Sequence, residues 1–313
     1  MAEGSTIGPD NQEISKSPVI EAKPPVVAEE AIRSPVSENK DASGASSAET
    51  IATSLAEDIN DHYYKKRSLK NSSHVVEFVN QAEAKNLRNN IYNFFGVSES
   101  ERDDNYQLEI CTVKDDSFNK YRERDIRAIR SLERRGLKTE DELNRFEISV
   151  KDETIDSLGL FESMGDRGVI LIKESMADEH VKIHETIHSM TGFGLARLGD
   201  GKNLNEAATE VLTLAYLHKT LDVWDLYPKV TYGEMDARGY QNIAGKLLAI
   251  MAYAKENGQF EIKDLAKYYF NDKQYEKNLR EEMIKEIIPK MPETFRLRDN
   301  AEKCLNSDLK EMV

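Results

Sequence analysis

HVKIHETIHSMTG (residues 180–192) holds three of the chain's six histidines, His180, His184 and His188. A spacing of four places all three on one face of a helix, since successive residues turn by about 100°. Ile183 and Ile187, with Met190 nearby, form an apolar stripe beside them, so this helix is expected to pack against a core. Asp178 and Glu179 suit the positive end of its dipole. Upstream, GVILI (residues 168–172) is a short apolar run bounded by glycines, Asp166 and charge, and it reads as a strand.

The chemistry follows from the spacing. His184 and His188 project their imidazoles about one turn apart, which lets two ring nitrogens bind one zinc ion. Glu185 is rotated out of that pair and misses the metal, but it can reach a water bound there and take its proton. The pattern H-E-x-x-H therefore carries a mechanism; the plain alternative is a helix with two ordinary histidines. His180 is followed by Val181, so no base accompanies a His180–His184 pair. We read it as a surface or substrate-rim histidine.

A catalytic zinc needs a third protein ligand and one open position. Position 194 is glycine rather than histidine, and Cys111 lies in EICTV, a setting unlike that of a cysteine ligand. LNEAATEVLTLAYL (residues 204–217) offers better candidates. Glu206 follows His188 after a glycine-rich stretch, TGFGLARLGDG, long enough to reverse the chain. Glu206 and Glu210 share a helix face, so one can bind zinc while the other accepts the remaining N–H of a ligating histidine. We take Glu206 as the third ligand, on a helix antiparallel to the first.

HETIH followed by NEAATE resembles the gluzincin group of zinc metallopeptidases, and is similar to the Asn-Glu-Gly-x-Thr-Glu variant of small bacterial zincins. The resemblance spans residues 180–214, with Ala207 standing where glycine is usual. It implies that His184, His188 and Glu206 bind Zn2+, that Glu185 is the general base, and that Glu210 stands behind the ligands. It also implies a zincin-like α+β fold. Gluzincins usually add a tyrosine or histidine that hydrogen-bonds the developing oxyanion; the candidates are Tyr240, Tyr232 and His218. We favour Tyr240, which opens an apolar helical stretch as a tyrosine does in the small bacterial forms.

The rest of the chain divides in three. Residues 1–50 lack aromatics, carry five of the eight prolines and have nine acidic against four basic groups. Such a segment cannot bury enough apolar surface to offset its ordering entropy, and we read it as a disordered tail. Residues 51–150 mix helix and strand, either as a separate domain or as the front half of the catalytic one. Ile51, Leu55, Ile59 and Tyr63 repeat at helical spacing. A second helical pattern runs through Val76, Val79, Leu87, Ile91 and Phe94 to Gly96. YQLEICTV (106–113) reads as a strand, residues 118–135 as a charged helix, and Thr139 with Glu142 as a capping box opening a short helix. FEISVKD (146–152) alternates like another strand. Residues 151–313 form the zincin-like part: the GVILI strand, then helical patterns near 177–191, 204–220, 234–256, 262–270 and 273–288. The fold class is α+β, a small mixed sheet followed by a mainly helical C-terminal half carrying the active-site helix.

Composition narrows the function. A net charge of −14 argues against a nucleic-acid partner. Two distant cysteines exclude a disulfide framework and a thiolate zinc site, and fit a reducing compartment. No run is long and apolar enough to span a membrane. The N-terminus lacks the basic and apolar regions of a signal peptide, so the expected location is cytoplasmic, with export by another route left open. The expectation is a zinc metallopeptidase acting on a peptide or protein, which adds as a strand beside GVILI taken as the edge strand. A non-catalytic zincin-like sensor and a delivered effector protease are the alternatives.

Overall fold

Four strands form one mixed sheet in the order β1-β2-β4-β3: Val75–Val79, Gln107–Val113, Arg167–Lys173 and Gly159–Met164. β1 and β2 are antiparallel, β2 and β4 parallel, and β3 and β4 antiparallel. The computed structural model describes residues 47–65, 67–102, 106–164, 166–190, 202–231, 240–256 and 261–270. All lie within one unit, Ala45–Val313. The tail as far as residue 46 and the helix expected at 273–288 lie outside the described residues.

Strand β2 shows why the sheet is covered on both faces. Leu108 and Ile110 turn to one side, where they meet Ile170 and Ile172 of β4 and Ala84 of helix α2 (Gln81–Phe95). Cys111 and Val113 turn to the other, against α1 (Ser47–Lys65) and α3 (Asp115–Ile129), with Leu55, Ile59 and Phe118 filling the gap. The sheet draws strands from before and after residue 150, so both parts of the chain build it.

GVILI is thus an interior strand and not the edge strand expected. Its four apolar residues, Val169 to Ile172, are all fully buried. A run apolar on both alternating faces is what a strand covered on both sides requires. The edge position beyond it belongs to β3, whose sequence GLFESM gave no strand signal.

Four other expectations are corrected. Val75–Val79 is a strand, and the helix begins only at Gln81, where the Asn80 side chain accepts from Ala82 and Glu83 in a capping box. Gly96 closes that helix in the left-handed region at φ 73°, a conformation favouring glycine. FEISVKD lies inside a helix, α5 (Glu140–Asp156), whose buried residues Phe146, Val150 and Thr154 follow a spacing of four. The box formed by Thr139 and Glu142 opens α5 as expected, but the helix is long. The charged helix expected over 118–135 is two, α3 and α4 (Ser131–Gly136).

Among the described residues the C-terminal half is helical: α6 (Glu179–Ser189), α7 (Lys202–Leu217), α8 (Val223–Thr231), α9 (Gln241–Glu256) and α10 (Ile262–Phe270). α8 had no counterpart in the sequence reading. α6 joins the two halves. Val181 packs on Ile170 and Ile172 of the sheet, while Ile183 and Ile187 pack into the helical core with Val211 and Leu212 of α7. Each such side chain contributes about 1.5–3 kcal/mol by leaving water. The histidine-bearing helix is therefore held from both sides.

Candidate metal centre

Helix α6 starts where the Asp178 side chain accepts from the Val181 amide at 3.0 Å. This cap fixes the register that brings His180, His184 and His188 to face α7. Their partners run in reverse along α7: His180 and His184 meet Glu210, and His184 and His188 meet Glu206. The two helices are therefore antiparallel, as the sequence suggested.

Three atoms converge between them. Nε2 of His184 and Nε2 of His188 are 3.1 Å apart, and Oε2 of Glu206 lies 3.2 Å from His188 and 3.4 Å from His184. Tetrahedral ligands on a zinc ion stand about 3.3 Å from one another, given Zn–N bonds of about 2.0–2.1 Å. The triangle has that size.

Protonation points the same way. Glu210 is fully buried, and its Oε2 lies 2.9 Å from Nδ1 of His184. A carboxylate only accepts, so that nitrogen carries the hydrogen, and Nε2 of a neutral His184 turns its lone pair to the triangle. Nδ1 of His188 lies 3.3 Å from both Thr209 Oγ1 and Asn205 Nδ2. Nε2 of His188, on the other side of the ring, faces the triangle. Acceptors set this close need a cation among them.

A proton on His184 can serve as that cation. Burial alone would lower the pKa of His184, but hydrogen bonds to Glu206 and Glu210 carry it up to about 10. Burial would likewise raise Glu206, yet His188 and His184 hold its carboxyl well below the usual range. Burial would raise Glu210 too, and hydrogen bonds from His180 and His184 keep it low. The donor set, two imidazoles and a carboxylate, suits zinc, and so does the fit of the triangle.

Glu185 stands apart from these ligands, on the side of α6 facing β3. Burial is the largest influence on it and raises its pKa, while His188 and His184 pull it down. Tyr240, immediately before α9, stacks on His184 with ring centroids 5.2 Å apart and planes 9° from parallel. Its pKa is raised by burial and by the nearby carboxylates of Glu206, Glu185 and Glu210. Of the other oxyanion candidates, His218 is exposed beyond the end of α7, and Tyr232 lies outside the described residues.

Three groupings were not foreseen. His180 is not a surface residue: its side chain is 11% exposed, with Nε2 3.0 Å from Glu210 Oε1. Asn205, Thr209 and Tyr269 of α10 form a buried hydrogen-bonded set behind His188, with Tyr269 donating to Asn205 at 3.1 Å. Thr209 lies one turn beyond Asn205, so the N-E-x-x-T spacing was their only trace in the sequence. Gly159 of β3 closes on Glu185, and nothing in the sequence marked it. No protein-family model, no curated protein and no solved structure matches the chain.

Proposed function

We propose that the chain is a zinc-dependent metallopeptidase in which His184, His188 and Glu206 hold the metal. The observation that carries this reading is the triangle of acceptors 3.1–3.4 Å on a side, with the glutamate next to the first histidine turned to a separate face. A metal that only stiffened the fold would have no use for a half-buried carboxylate at position 185.

Zinc, when bound there, supplies a Lewis acid that polarises a carbonyl and acidifies water. The protein's own groups do the rest. Glu185 accepts the proton of the attacking water on its carboxylate and passes it to the leaving amine. Its raised pKa suits both halves of that transfer. Glu210 holds the Nδ1 hydrogen of His184, which fixes the ring's tautomer and tilt. The Tyr240 hydroxyl donates to the oxygen on which negative charge develops.

The substrate is a peptide or an extended protein segment. Among the described residues the outer edge of β3 pairs with no strand, and its first residue touches Glu185. A peptide added there would form main-chain hydrogen bonds with β3 and lie beside the base. This replaces GVILI, whose two edges are already taken. No described helix is long and apolar enough to cross a membrane.

The test is zinc content of purified protein by mass spectrometry, with cleavage of a peptide library by wild type and Glu185→Gln. One zinc per chain in both, with cleavage only in the wild type, is expected. Protein that takes up no zinc, or a variant that cleaves as fast as wild type, overturns the reading.

A further inference from the structure

The zinc reading leaves His180 without a task, although it is the first of three aligned histidines. Its partner is unusual. Glu210 has 0% exposure, the lowest of any carboxylate-bearing residue among the described buried polar groups. A carboxylate taken out of water needs hydrogen-bond donors on it, or the lost solvation goes uncompensated. The side-chain contacts it makes to α6 are to His184 and His180. Nε2 of His180 faces both of its oxygens, 3.0 Å from Oε1 and 3.2 Å from Oε2; the aligned hydrogen bond goes to Oε2. Remove His180, and among the described residues one hydrogen bond to Glu210 from α6 remains, that of His184.

The arrangement is better read as hydrogen bonding than as a second metal position. The hydrogen bonds from His184 and His180 to Oε2 of Glu210, 2.9 and 3.2 Å long, have the lengths of N–H donors on a carboxylate. A metal there would also need Nδ1 of His184 as a ligand, stripping the hydrogen that turns its Nε2 lone pair to Glu206 and His188. A role at the substrate rim is equally disfavoured, since Nε2 is occupied by a buried group on α7.

Resting on the zinc reading above, we infer that His180 is a positioning residue for the metal ligand His184, acting through Glu210. One turn of α6 separates the two histidines, and Glu210 spans both. The carboxylate cannot slide or tilt toward one without drawing away from the other. His180 thus clamps the group that orients His184, and the three-histidine face becomes two ligands and one brace.

The experiment is a zinc titration of the full chain against a chromophoric chelator, for wild type, His180→Gln and His180→Leu. Gln and Leu fill similar space, but only Gln can place an N–H near Glu210. His180→Leu is expected to weaken zinc binding about 10–100-fold, the usual loss for a group behind a ligand. His180→Gln is expected to recover most of it. Far-UV circular dichroism and melting of the metal-free proteins show that both variants fold. Leu binding zinc as tightly as wild type, or Gln no better than Leu with both folded, overturns the role of His180 alone. Failure of the wild type to bind zinc overturns the metal reading, and this inference with it.

Discussion

A β-carbon built on Gly159 would stand 2.6 Å from both Cγ and Oε1 of Glu185. Real β-carbons essentially never come that close to a non-bonded heavy atom. Because Cγ as well as the carboxylate is in the way, swinging the end of the side chain does not relieve the contact. The start of the edge strand is therefore pressed against the proposed base. Gly159→Ala is expected to keep its zinc and lose about 100-fold in peptide cleavage, within the range that a positioned base contributes. Zinc content and kcat measured on the same preparation check this. A variant as active as wild type would show that Glu185 has room to spare.

Glu206 and Glu210 are the same residue type one turn apart on α7, and the reading gives them unequal work. Glu206→Ala should remove stoichiometric zinc, because it deletes one corner of the triangle. Glu210→Ala should only weaken binding, by about 10–100-fold. Equilibrium dialysis against buffered zinc separates the two. If Glu210→Ala strips the metal and Glu206→Ala does not, the ligand has been assigned to the wrong carboxylate.

Tyr240 offers a different kind of test. Burial and three nearby carboxylates push its pKa up, so the hydroxyl stays protonated at any working pH and remains a donor. Its ring also covers one face of His184. Phenylalanine keeps that stacking and removes only the donor. Tyr240→Phe is expected to retain zinc and to lower kcat about 100-fold with little change in KM, the usual cost of one oxyanion donor. Unchanged kcat would leave Tyr240 as packing alone.

How far the sequence revealed these features depends on which signals are local. The distance between His184 and His188 is set by helix geometry, as is that between Glu206 and Glu210, so both pairs could be read directly. Their meeting across α6 and α7 needed only a reversal of the chain. The strands were harder, because apolar pattern alone does not rank strand against helix over short runs. FEISV alternates like a strand, yet Phe146 and Val150 are buried as successive turns of α5. VVEFV was absorbed into the helix after it, although its β-branched residues and the capping Asn80 marked a break. GVILI was rightly a strand but wrongly an edge, and its unbroken apolar run was the available correction. Gly159 and His180 act only through residues distant in sequence, so no local pattern could assign them.

Away from the candidate metal centre, β2 carries a buried carboxyl that holds its proton well above the usual range. Glu109 is 5% exposed on the face turned to α1, with Oε2 3.3 Å from Nδ1 of His62. Burial pushes its carboxyl up to about 7, and Arg167 and the Leu69 backbone only partly oppose this. Between about 4.5 and 7 the folded chain then holds a proton that the unfolded chain has lost. Its contribution to stability is complete below 4.5 and disappears as pH rises through 7. His62 runs the other way. Burial first, then Arg167, depress its pKa against the Arg67 carbonyl that raises it, so its contribution is lost as pH falls below 6.5. Glu109→Gln removes the first effect and keeps the second. The stability of wild type minus that of the variant, from urea unfolding at each pH, should therefore fall by at most about 3 kcal/mol between pH 4.5 and 7.5. A difference that rises over that range would mean that Glu109 is ionised in the fold and paired with a protonated His62.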